Sequence, residues 1–463
     1  MSTEIRRAVF ITATEPEPRR YGKPVVIGGI LDHLCDRLGP QNVHLILIGR
    51  PEVERPEVGY HRHVLAKPGT AEQVGSVLKH VVLPPAIRDR LHRGSPPLWP
   101  GAAGTSVAAK AHRHPLQEAV LHSGGLQEAL SATIDLIDPD LEIWDTVRMG
   151  QYVADRPRVG RRAGRPLRRI LYADDLFSER YAAMLAESEA GGANSNPGGE
   201  FVKLLPGPAR RLLANPRVHR PLLRLERDLV AASENRQPAW FDATYLISPD
   251  ETARLQARCP GAEIGTLPPL LREPLSLIRK YTGAPEFTFI GGFDYAPNLD
   301  GLNWFLSSCR AAVQTELPDV VINVVGAGTD RGLPSAAAWS GAVRFLGWVD
   351  DLDAVLAGSA ALLSPLRTGS GVKIKVLEAL ARGLPVIATT AGVQGIEGGE
   401  RSGCLVGETP ADLAAAMRAA VDPTINAGLS AAARQAWDTR YSPTVVRLRY
   451  DEIFGLSPVS DPV

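Results

Sequence analysis

The segment 369–378, with the sequence GSGVKIKVLE, combines glycines, lysines and a glutamate in an order that suits an anion-binding turn. Glycines let backbone N–H groups approach a ligand closely, and the N-terminus of the following helix carries partial positive charge. Lysines at the start of that helix add full positive charges. The pattern favours a site for a diphosphate, although an ordinary turn followed by a solvated Lys–Glu pair has the same composition.

Helical spacing separates the two lysines of this segment. Lys375 and Glu378 are three residues apart and share a helix face, and Gly371, four residues before Lys375, lies on the same side. Lys373 points elsewhere within a regular helix over residues 372–382 and reaches a ligand only if the helix begins after it. We therefore predict that Lys375 is the main diphosphate contact.

Alternating strand-like and helix-like stretches place this segment in an α/β protein. The first half begins with apolar runs at 8–12 and 44–48, which suit buried strands, and a helical pattern at 25–38 lies between them. This order favours a parallel, doubly wound sheet. A second β/α series begins at residue 287, after a proline-containing stretch at 260–286 that is typical of a linker.

These two series predict two Rossmann-like doubly wound domains facing each other across a cleft. We expect the first domain to span residues 1–275 and the second to span residues 285–438. Loops or insertions are predicted where the first half is polar and rich in Gly, Pro or Arg, at 84–115, 155–168 and 189–221.

The composition is that of an ordinary globular protein, with 44% hydrophobic and 22% charged residues among 463 and a formal net charge of zero. The overall charge therefore predicts no polyanionic partner. No signal-peptide core and no apolar run of about 18 residues is present. We expect a cytoplasmic protein, at most peripheral at the inner face of a membrane. The cysteines have no metal-ligand spacing; they are Cys35, Cys259, Cys309 and Cys404.

The second half resembles the donor domain of family-4 glycosyltransferases over about residues 285–420. Five motifs follow the family's order: FIGG with PN (289–298), VVGAG (324–328), FLGWVDDL (345–352), the segment from residue 369 to 379, and GLPVIAT (383–389). Each motif alone is weak, but five in order at family-like spacing are specific. The resemblance implies the GT-B fold, with a last helix at about 440–456 that completes the first domain.

The resemblance further implies an enzyme that moves a sugar from a nucleotide-sugar donor to an acceptor hydroxyl, with retention of configuration. Such enzymes serve glycan, glycolipid or glycosylated-metabolite synthesis and need no essential metal or other cofactor, since the nucleotide-sugar is a substrate. Glu378 is implied to bind the donor ribose, and the expected catalytic residues are Lys375, Glu378 and Asp175. The implied donor-binding residues are Gly292, Asn298, Gly326, Val349, Gly369, Ser370, Gly371, Lys373, Lys375 and Glu378.

Two departures from the family pattern affect this site. Many members carry a second glutamate at the position of Ser370, and many carry a basic residue in the turn that corresponds to residues 292–298, where this chain has none. We expect Lys373 and Lys375 to neutralise the phosphates instead.

The first half offers weaker candidates at predicted strand ends. Gly22 and Lys23 follow the first strand, where α/β proteins bind ligands, and are candidates for phosphate contact or for a surface turn. Asp174 and Asp175 follow the strand at 169–172 and either orient an acceptor hydroxyl or belong to a helix-capping turn. Asp138 and Asp140 mimic a metal-binding pair, but the proline between them indicates a turn.

Arginine-rich stretches at 156–169 and 203–227 mix basic and apolar residues. They suit an anionic membrane surface or a lipid-linked acceptor, or else solvated loops. A nucleic-acid partner is not expected, because both stretches lack aromatic residues.

Two other functions fit the same fold. A nucleotide-sugar epimerase would convert the donor sugar without an acceptor, and a non-catalytic glycosyltransferase-like partner would release no nucleoside diphosphate. Ser370 and the turn without a basic residue motivate the second alternative.

Overall fold

The structure, a computed structural model, describes most of the chain. The described residues are 5–19, 22–50, 58–77, 114–154, 156, 167–189, 216–274, 279, 281–369 and 371–456. The chain divides into two compact units, Met1–Leu267 with Arg449–Val463, and Pro268–Leu448. Most of the predicted insertions at 84–115, 155–168 and 189–221 lie outside the described residues, and so does Ser370. In the described ranges no helix is long and apolar enough to cross a membrane.

The first unit contains a sheet of seven parallel strands in the order β3-β2-β1-β4-β5-β6-β7. The strands are β1 (Ala8–Thr12), β2 (Val43–Ile48), β3 (His61–Leu65), β4 (Leu141–Asp145), β5 (Arg168–Asp174), β6 (Ala243–Leu246) and β7 (Ile264–Thr266). β1 and β4 are buried along their whole length, as in a parallel sheet covered on both faces. Because β1 pairs with both β2 and β4, residues that follow these strands meet at one edge of the sheet.

Helices connect these strands. They are α1 (Lys23–Leu38), α2 (Thr70–Val77), α3 (Leu116–Ala119), α4 (Gly124–Ile137), α5 (Thr146–Gly150), α6 (Phe177–Glu189), α7 (Pro216–Arg236) and α8 (Pro249–Arg258). Buried side chains of α4, such as Leu130 and Ile134, join those of β1 and β2 in one apolar core.

The second unit contains a sheet of six parallel strands in the order β10-β9-β8-β11-β12-β13. The strands are β8 (Glu286–Ile290), β9 (Val321–Val325), β10 (Val343–Gly347), β11 (Ala361–Ser364), β12 (Val386–Ala388) and β13 (Cys404–Val406). The helices are α9 (Ala296–Trp304), α10 (Arg310–Glu316), α11 (Leu352–Ala357), α12 (Ile374–Ala381), α13 (Pro410–Val421), α14 (Pro423–Ala436) and α15 (Pro443–Phe454). Phe287 and Phe289 of β8 lie at the centre of its core.

The end of α15 belongs to the first unit, where it packs on α1. The His33 ring meets the Tyr450 ring edge-on, with centroids 5.3 Å apart. Asp451 Oδ1 lies 3.0 Å from His33 Nε2 and 3.0 Å from Arg37 Nε. Aromatic contacts and a shared carboxylate thus attach the chain's last helix to its first.

Three edge strands, β3, β7 and β13, were not predicted from the sequence. β3 has a mixed polar sequence and is only partly buried, so it lacks the apolar run of the inner strands. β7 has three residues and lies within the stretch 260–286 that its prolines mark as a linker, yet it pairs with β6. Strands this short carry no readable periodicity, so the prediction of a linker over that whole stretch was wrong at β7.

Three histidines meet where β2 and β3 pair. His44 Nδ1 lies 3.2 Å from His63 Nε2, and the rings of His44 and His61 stack with centroids 4.9 Å apart. Burial, followed by the nearby His61, His63 and Arg7, lowers the pKa of His44 from 6.5 to about 4. The folded protein therefore keeps this imidazole neutral at neutral pH.

This cluster predicts acid sensitivity of the first unit. A histidine whose pKa is lowered on folding binds fewer protons when folded, so stability is lost as the pH falls from about 6.5 towards 4. We expect the free energy of unfolding of the wild type to decrease over this range. The free energy of unfolding of the His44→Asn variant should decrease less. Urea denaturation at pH 7 and pH 5 measures both; equal losses in the two proteins would contradict the prediction.

Candidate functional site

The carboxyl ends of three adjacent strands of the second sheet, β8, β9 and β10, carry glycine turns that contact one another. Gly326, after β9, has a φ of +143°, and a Cβ at this position would lie 2.6 Å from the Gly291 carbonyl carbon after β8. Gly326 N donates to Gly347 O at 2.8 Å, and Phe293 N donates to Ala327 O at 3.0 Å. The turns after β8, β9 and β10 therefore form one backbone surface, at the edge where parallel α/β sheets bind ligands.

The glycine turn after β11 ends in α12, which begins later than the sequence predicted. Gly371 has a φ of +73°, a left-handed conformation that interrupts a helix, and Lys373 is the N-cap residue with a φ of −87° and a ψ of 96°. The helix begins at Ile374 and not at residue 372, so the prediction that Lys373 points away from the ligand loses its basis. Lys373 is buried, and its Nζ donates to Gly371 O at 3.0 Å.

The side chain of Lys375 lies over Phe289 of β8. Its Nζ donates to Asn298 Oδ1 at 2.8 Å and lies 4.7 Å from the centre of the Phe289 ring. Asn298 Nδ2 in turn donates to Gly292 O at 3.2 Å. The structure thus brings together Gly292, Asn298 and Lys375, three residues that the sequence placed at one site.

The charge of Lys375 is not balanced by a carboxylate in the described part of the chain. Burial and the neighbouring Lys373 lower the pKa of Lys375 to about 7. A desolvated cation without a counter-ion is costly, and a bound anion would supply the missing charge.

Glu378 lies one helical turn beyond Lys375. Burial raises its pKa, an effect partly offset by Arg382 and reinforced by Asp353. Arg382 donates to the Glu378 backbone oxygen at 2.9 Å and to Asp353 Oδ1 at 2.6 Å, so its guanidinium does not bond the Glu378 carboxylate. Among the described residues, none donates a hydrogen bond to that carboxylate, which leaves both oxygens available to hydroxyl groups of a ligand.

Two more of the predicted donor-binding residues, Gly369 and Val349, follow strands at the same edge of the sheet. Gly369 has a φ of +126°, and Val349 is half-buried in the bend after β10, beside the exposed Trp348. Ser370 lies outside the described residues. Within the described ranges no three His, Cys, Asp or Glu residues are placed to hold a metal ion.

A second polar cluster lies at the carboxyl edge of the first unit's sheet. Lys23 Nζ, at the start of α1, lies 2.7 Å from Asp145 Oδ1 and 3.4 Å from Asp174 Oδ2. Thr12 donates to Asp145 Oδ2 at 2.6 Å, and Tyr172 donates to Asp174 Oδ1 at 2.9 Å. Burial acts to lower the pKa of Lys23, but the two carboxylates outweigh it, and the pKa is raised. Lys23 is therefore a charge already balanced within the protein.

The backbone at this cluster is strained. Thr146, directly after β4, has a φ of 63°, and Asp174, the last residue of β5, has a φ of 69°. Such left-handed conformations are costly for residues other than glycine and concentrate at functional sites. Asp145 was not singled out from the sequence, although a polar residue at the carboxyl end of an apolar strand is a recognisable signal. The predicted Asp175 instead pairs with Arg180.

Comparisons with known proteins add three findings. Residues 284–422 match the family model described as Glycosyl transferases group 1. An uncharacterised 44.6 kDa protein in the cps region of Klebsiella pneumoniae is 30% identical over 114 residues, which cover 23% of this chain and 29% of that protein. The chain thus matches less than a third of this curated relative.

Solved structures match nearly the whole chain. Sucrose-phosphate synthase from Thermosynechococcus elongatus has a TM-score of 0.59 at 14% identity, covering 97% of this chain and 98% of that one. Anabaena HepE in complex with UDP has a TM-score of 0.58 at 10% identity, covering 97% and 99%. WaaG, a glycosyltransferase involved in lipopolysaccharide biosynthesis, has a TM-score of 0.52 at 14% identity, covering 97% and 100%. At these identities the likeness shows the fold.

Proposed function

We propose that this chain, which has the GT-B fold and a glycosyl transferases group 1 domain at residues 284–422, transfers a sugar from a nucleotide-sugar donor to an acceptor hydroxyl. The observation that carries the proposal is the carboxyl edge of the second sheet. There a carboxylate without a described partner, Glu378, lies one helical turn from an ammonium without a carboxylate partner, Lys375. A nucleotide-sugar carries vicinal hydroxyls that can bind the carboxylate and a diphosphate that can bind the ammonium.

We assign Glu378 to the donor ribose, because a carboxylate accepts two hydroxyl hydrogen bonds well. Lys375 and Lys373 together bind the diphosphate, and the glycines at 326, 328, 369 and 371 let the nucleotide approach the backbone. Val349 and its neighbours after β10 lie on the base side of the donor. HepE, which has the same fold, was crystallised with UDP.

The chemistry proposed for this site is stabilisation of a leaving group. As the glycosidic bond to the diphosphate breaks, negative charge grows on the phosphate oxygen, and preorganised lysines and N–H groups stabilise it. That oxygen can accept the acceptor hydroxyl's proton, so transfer with retention of configuration requires no protein nucleophile. We propose no metal ion or other cofactor.

The first unit is proposed to hold the acceptor. Asp145 and Asp174 lie at the carboxyl edge of its sheet with Lys23 between them, and their carboxylates suit hydroxyl groups better than phosphates. This replaces Asp175 as the proposed acceptor contact and Lys23 as a free phosphate ligand.

We also propose that the acceptor is a glycan precursor, either free or linked to a lipid. The names of the similar proteins support this: one lies in a cps region and another acts in lipopolysaccharide biosynthesis. Peripheral membrane contact is proposed only through the other residues of the arginine-rich stretches, most of which lie outside the described ranges. Arg156 and Arg169 take no part, because both pair with the buried carboxylate of Glu142. Liposome flotation at low and high salt tests this membrane contact, and binding that is indifferent to salt would contradict it.

The proposed function is tested by a thermal-shift screen of UDP, GDP, dTDP and ADP, followed by assays with the matching nucleotide-sugars. Ligand at a hundredfold over its dissociation constant stabilises the folded state by about 2.7 kcal/mol. We expect one nucleotide to shift the melting temperature, and its sugar conjugate to release nucleoside diphosphate in the presence of an acceptor. Conversion of the donor sugar without acceptor would indicate an epimerase, and absence of release would indicate a non-catalytic partner.

The lowered pKa of Lys375 predicts that the affinity for the diphosphate decreases at alkaline pH. Below pH 7 the ammonium is already charged, whereas above about pH 7 binding must first take up a proton. The phosphate's own ionisation, with a pKa near 6, is then nearly complete and does not cancel this effect. Titration calorimetry between pH 6.5 and 9 should show affinity falling by up to tenfold per pH unit, and Lys375→Met should remove most of that slope. A flat profile in the wild type would contradict the assignment.

A further inference from the structure

A tyrosine hydroxyl lies over the glycine turn of the proposed donor site. Tyr295 precedes α9, and its side chain is 51% exposed. A Cβ built on Gly369 would lie 3.5 Å from the Tyr295 hydroxyl and 3.5 Å from Lys373 Nζ. One phenol and one ammonium, from two different turns, therefore converge on the same face of Gly369.

The distance between these two groups fits a shared anion. Two atoms that each lie 3.5 Å from one point are separated by no more than about 7 Å. A phosphate that accepts a hydrogen bond of ~2.7–3.0 Å from each side spans such a gap. Gly369 has a φ of +126°, which side-chain-bearing residues rarely adopt, and as a glycine it places no Cβ between the two side chains.

Tyr295 is held in place by residues already assigned to the site. Its backbone carbonyl accepts a hydrogen bond from Asn298 N at 3.0 Å, and the Asn298 side chain accepts one from Lys375 at 2.8 Å. Pro297 fixes the first turn of α9, and its Cβ lies 3.8 Å from the same Gly369 position. Hydrogen bonds through Asn298 thus connect the Tyr295 backbone to the lysine that faces the proposed diphosphate.

The same turn carries no positive charge of its own. Asp294, its one charged residue, lies 3.7 Å from Arg331 of the turn after β9, and both side chains are largely exposed. Tyr295 therefore supplies the turn's side-chain hydrogen-bond donor on the Gly369 face. A neutral hydroxyl adds a directed bond to the anion there without adding a further repulsive cation beside Lys373 and Lys375.

We propose that Tyr295 is a donor-binding residue whose hydroxyl donates a hydrogen bond to the diphosphate, on the side shared with Lys373; the proposal rests on the proposed function. The bond strengthens as the sugar departs and negative charge collects on the leaving phosphate oxygen. Tyr295 thus contributes to leaving-group stabilisation as well as to donor affinity.

The test compares Tyr295→Phe with Tyr281→Phe in the intact protein. The matched control removes a hydroxyl that bonds Val421 O at 2.9 Å elsewhere in the same unit. Titration calorimetry uses UDP, GDP, dTDP or ADP, whichever binds the wild type, together with its free nucleoside and inorganic pyrophosphate. Tyr295→Phe should weaken binding of the nucleoside diphosphate and of pyrophosphate three- to tenfold and leave binding of the nucleoside unchanged. It should also lower kcat by a larger factor than it raises the dissociation constant. The control should change none of these values.

Combination with Lys373→Met gives a second readout. If both side chains bind one phosphate, the double variant loses less than the product of the two single losses. An unchanged affinity for pyrophosphate and nucleoside diphosphate in Tyr295→Phe would overturn the inference while leaving the proposed function intact. Failure of the wild type to bind any of the four nucleoside diphosphates would overturn both.

Discussion

Glu378→Gln is expected to weaken binding of the nucleoside diphosphate by one to two orders of magnitude. The wild-type carboxylate accepts no hydrogen bond from a described residue, so a ribose would satisfy both of its oxygens at once. Charge-assisted hydrogen bonds are worth roughly 1.5–3 kcal/mol each, and about 1.4 kcal/mol corresponds to a factor of ten. Glutamine keeps the size of the side chain and one acceptor oxygen. The loss of affinity therefore measures the contribution of the negative charge and of the second acceptor oxygen.

A matched variant, Glu286→Gln, controls for this prediction. Glu286 begins β8 at the amino end of the same sheet, and its carboxylate accepts a hydrogen bond from Asn323 at 2.8 Å. Its replacement should leave the dissociation constant unchanged. If calorimetry instead gives Glu378→Gln the wild-type affinity, Glu378 does not bind the ribose.

Lys375→Met is expected to stabilise the ligand-free protein while lowering kcat at least tenfold. The substitution removes a desolvated ammonium that no described carboxylate neutralises and fills its place with an apolar chain of similar length. The same ammonium is proposed to stabilise the leaving diphosphate, so its loss raises the barrier to transfer. A tenfold loss of kcat corresponds to about 1.4 kcal/mol.

Lys23→Met is the matched comparison and should have the opposite effect on stability. Its removal leaves Asp145 and Asp174 facing each other without the cation between them. Breaking a buried ion pair in this way typically costs about 3–5 kcal/mol. Melting temperatures without ligand decide the comparison: a Lys375→Met protein that melts well below the wild type would show that this lysine is structural.

The donor site was largely predictable because its chemistry is local in the sequence. Glycines, lysines and Glu378 lie within one segment of ten residues that follows a strand, so their common place after a strand end needs no tertiary information. The predicted start of α12 was two residues too early, because the start depends on the left-handed conformation that Gly371 adopts. That shift decides whether Lys373 faces the site.

The cluster in the first unit could not be read from the sequence. Lys23 and Asp145 are far apart in the chain and meet only because β1 and β4 are neighbours in the sheet. Strand order follows from how the whole unit packs, and the short edge strands β3 and β7 give no pattern from which to infer it. The choice between Asp174 and Asp175 depends on the backbone at the end of β5, where Asp174 has a positive φ.

A crystal structure with the nucleoside diphosphate that gives the largest thermal shift tests the central claim most directly. We expect the ribose hydroxyls within about 3 Å of the Glu378 carboxylate oxygens, and the diphosphate beside Lys375 and Lys373, close to Gly369 and Gly371. A nucleotide bound at the carboxyl edge of the first sheet, or one whose ribose does not contact Glu378, would contradict the assignment of the second unit as the donor domain.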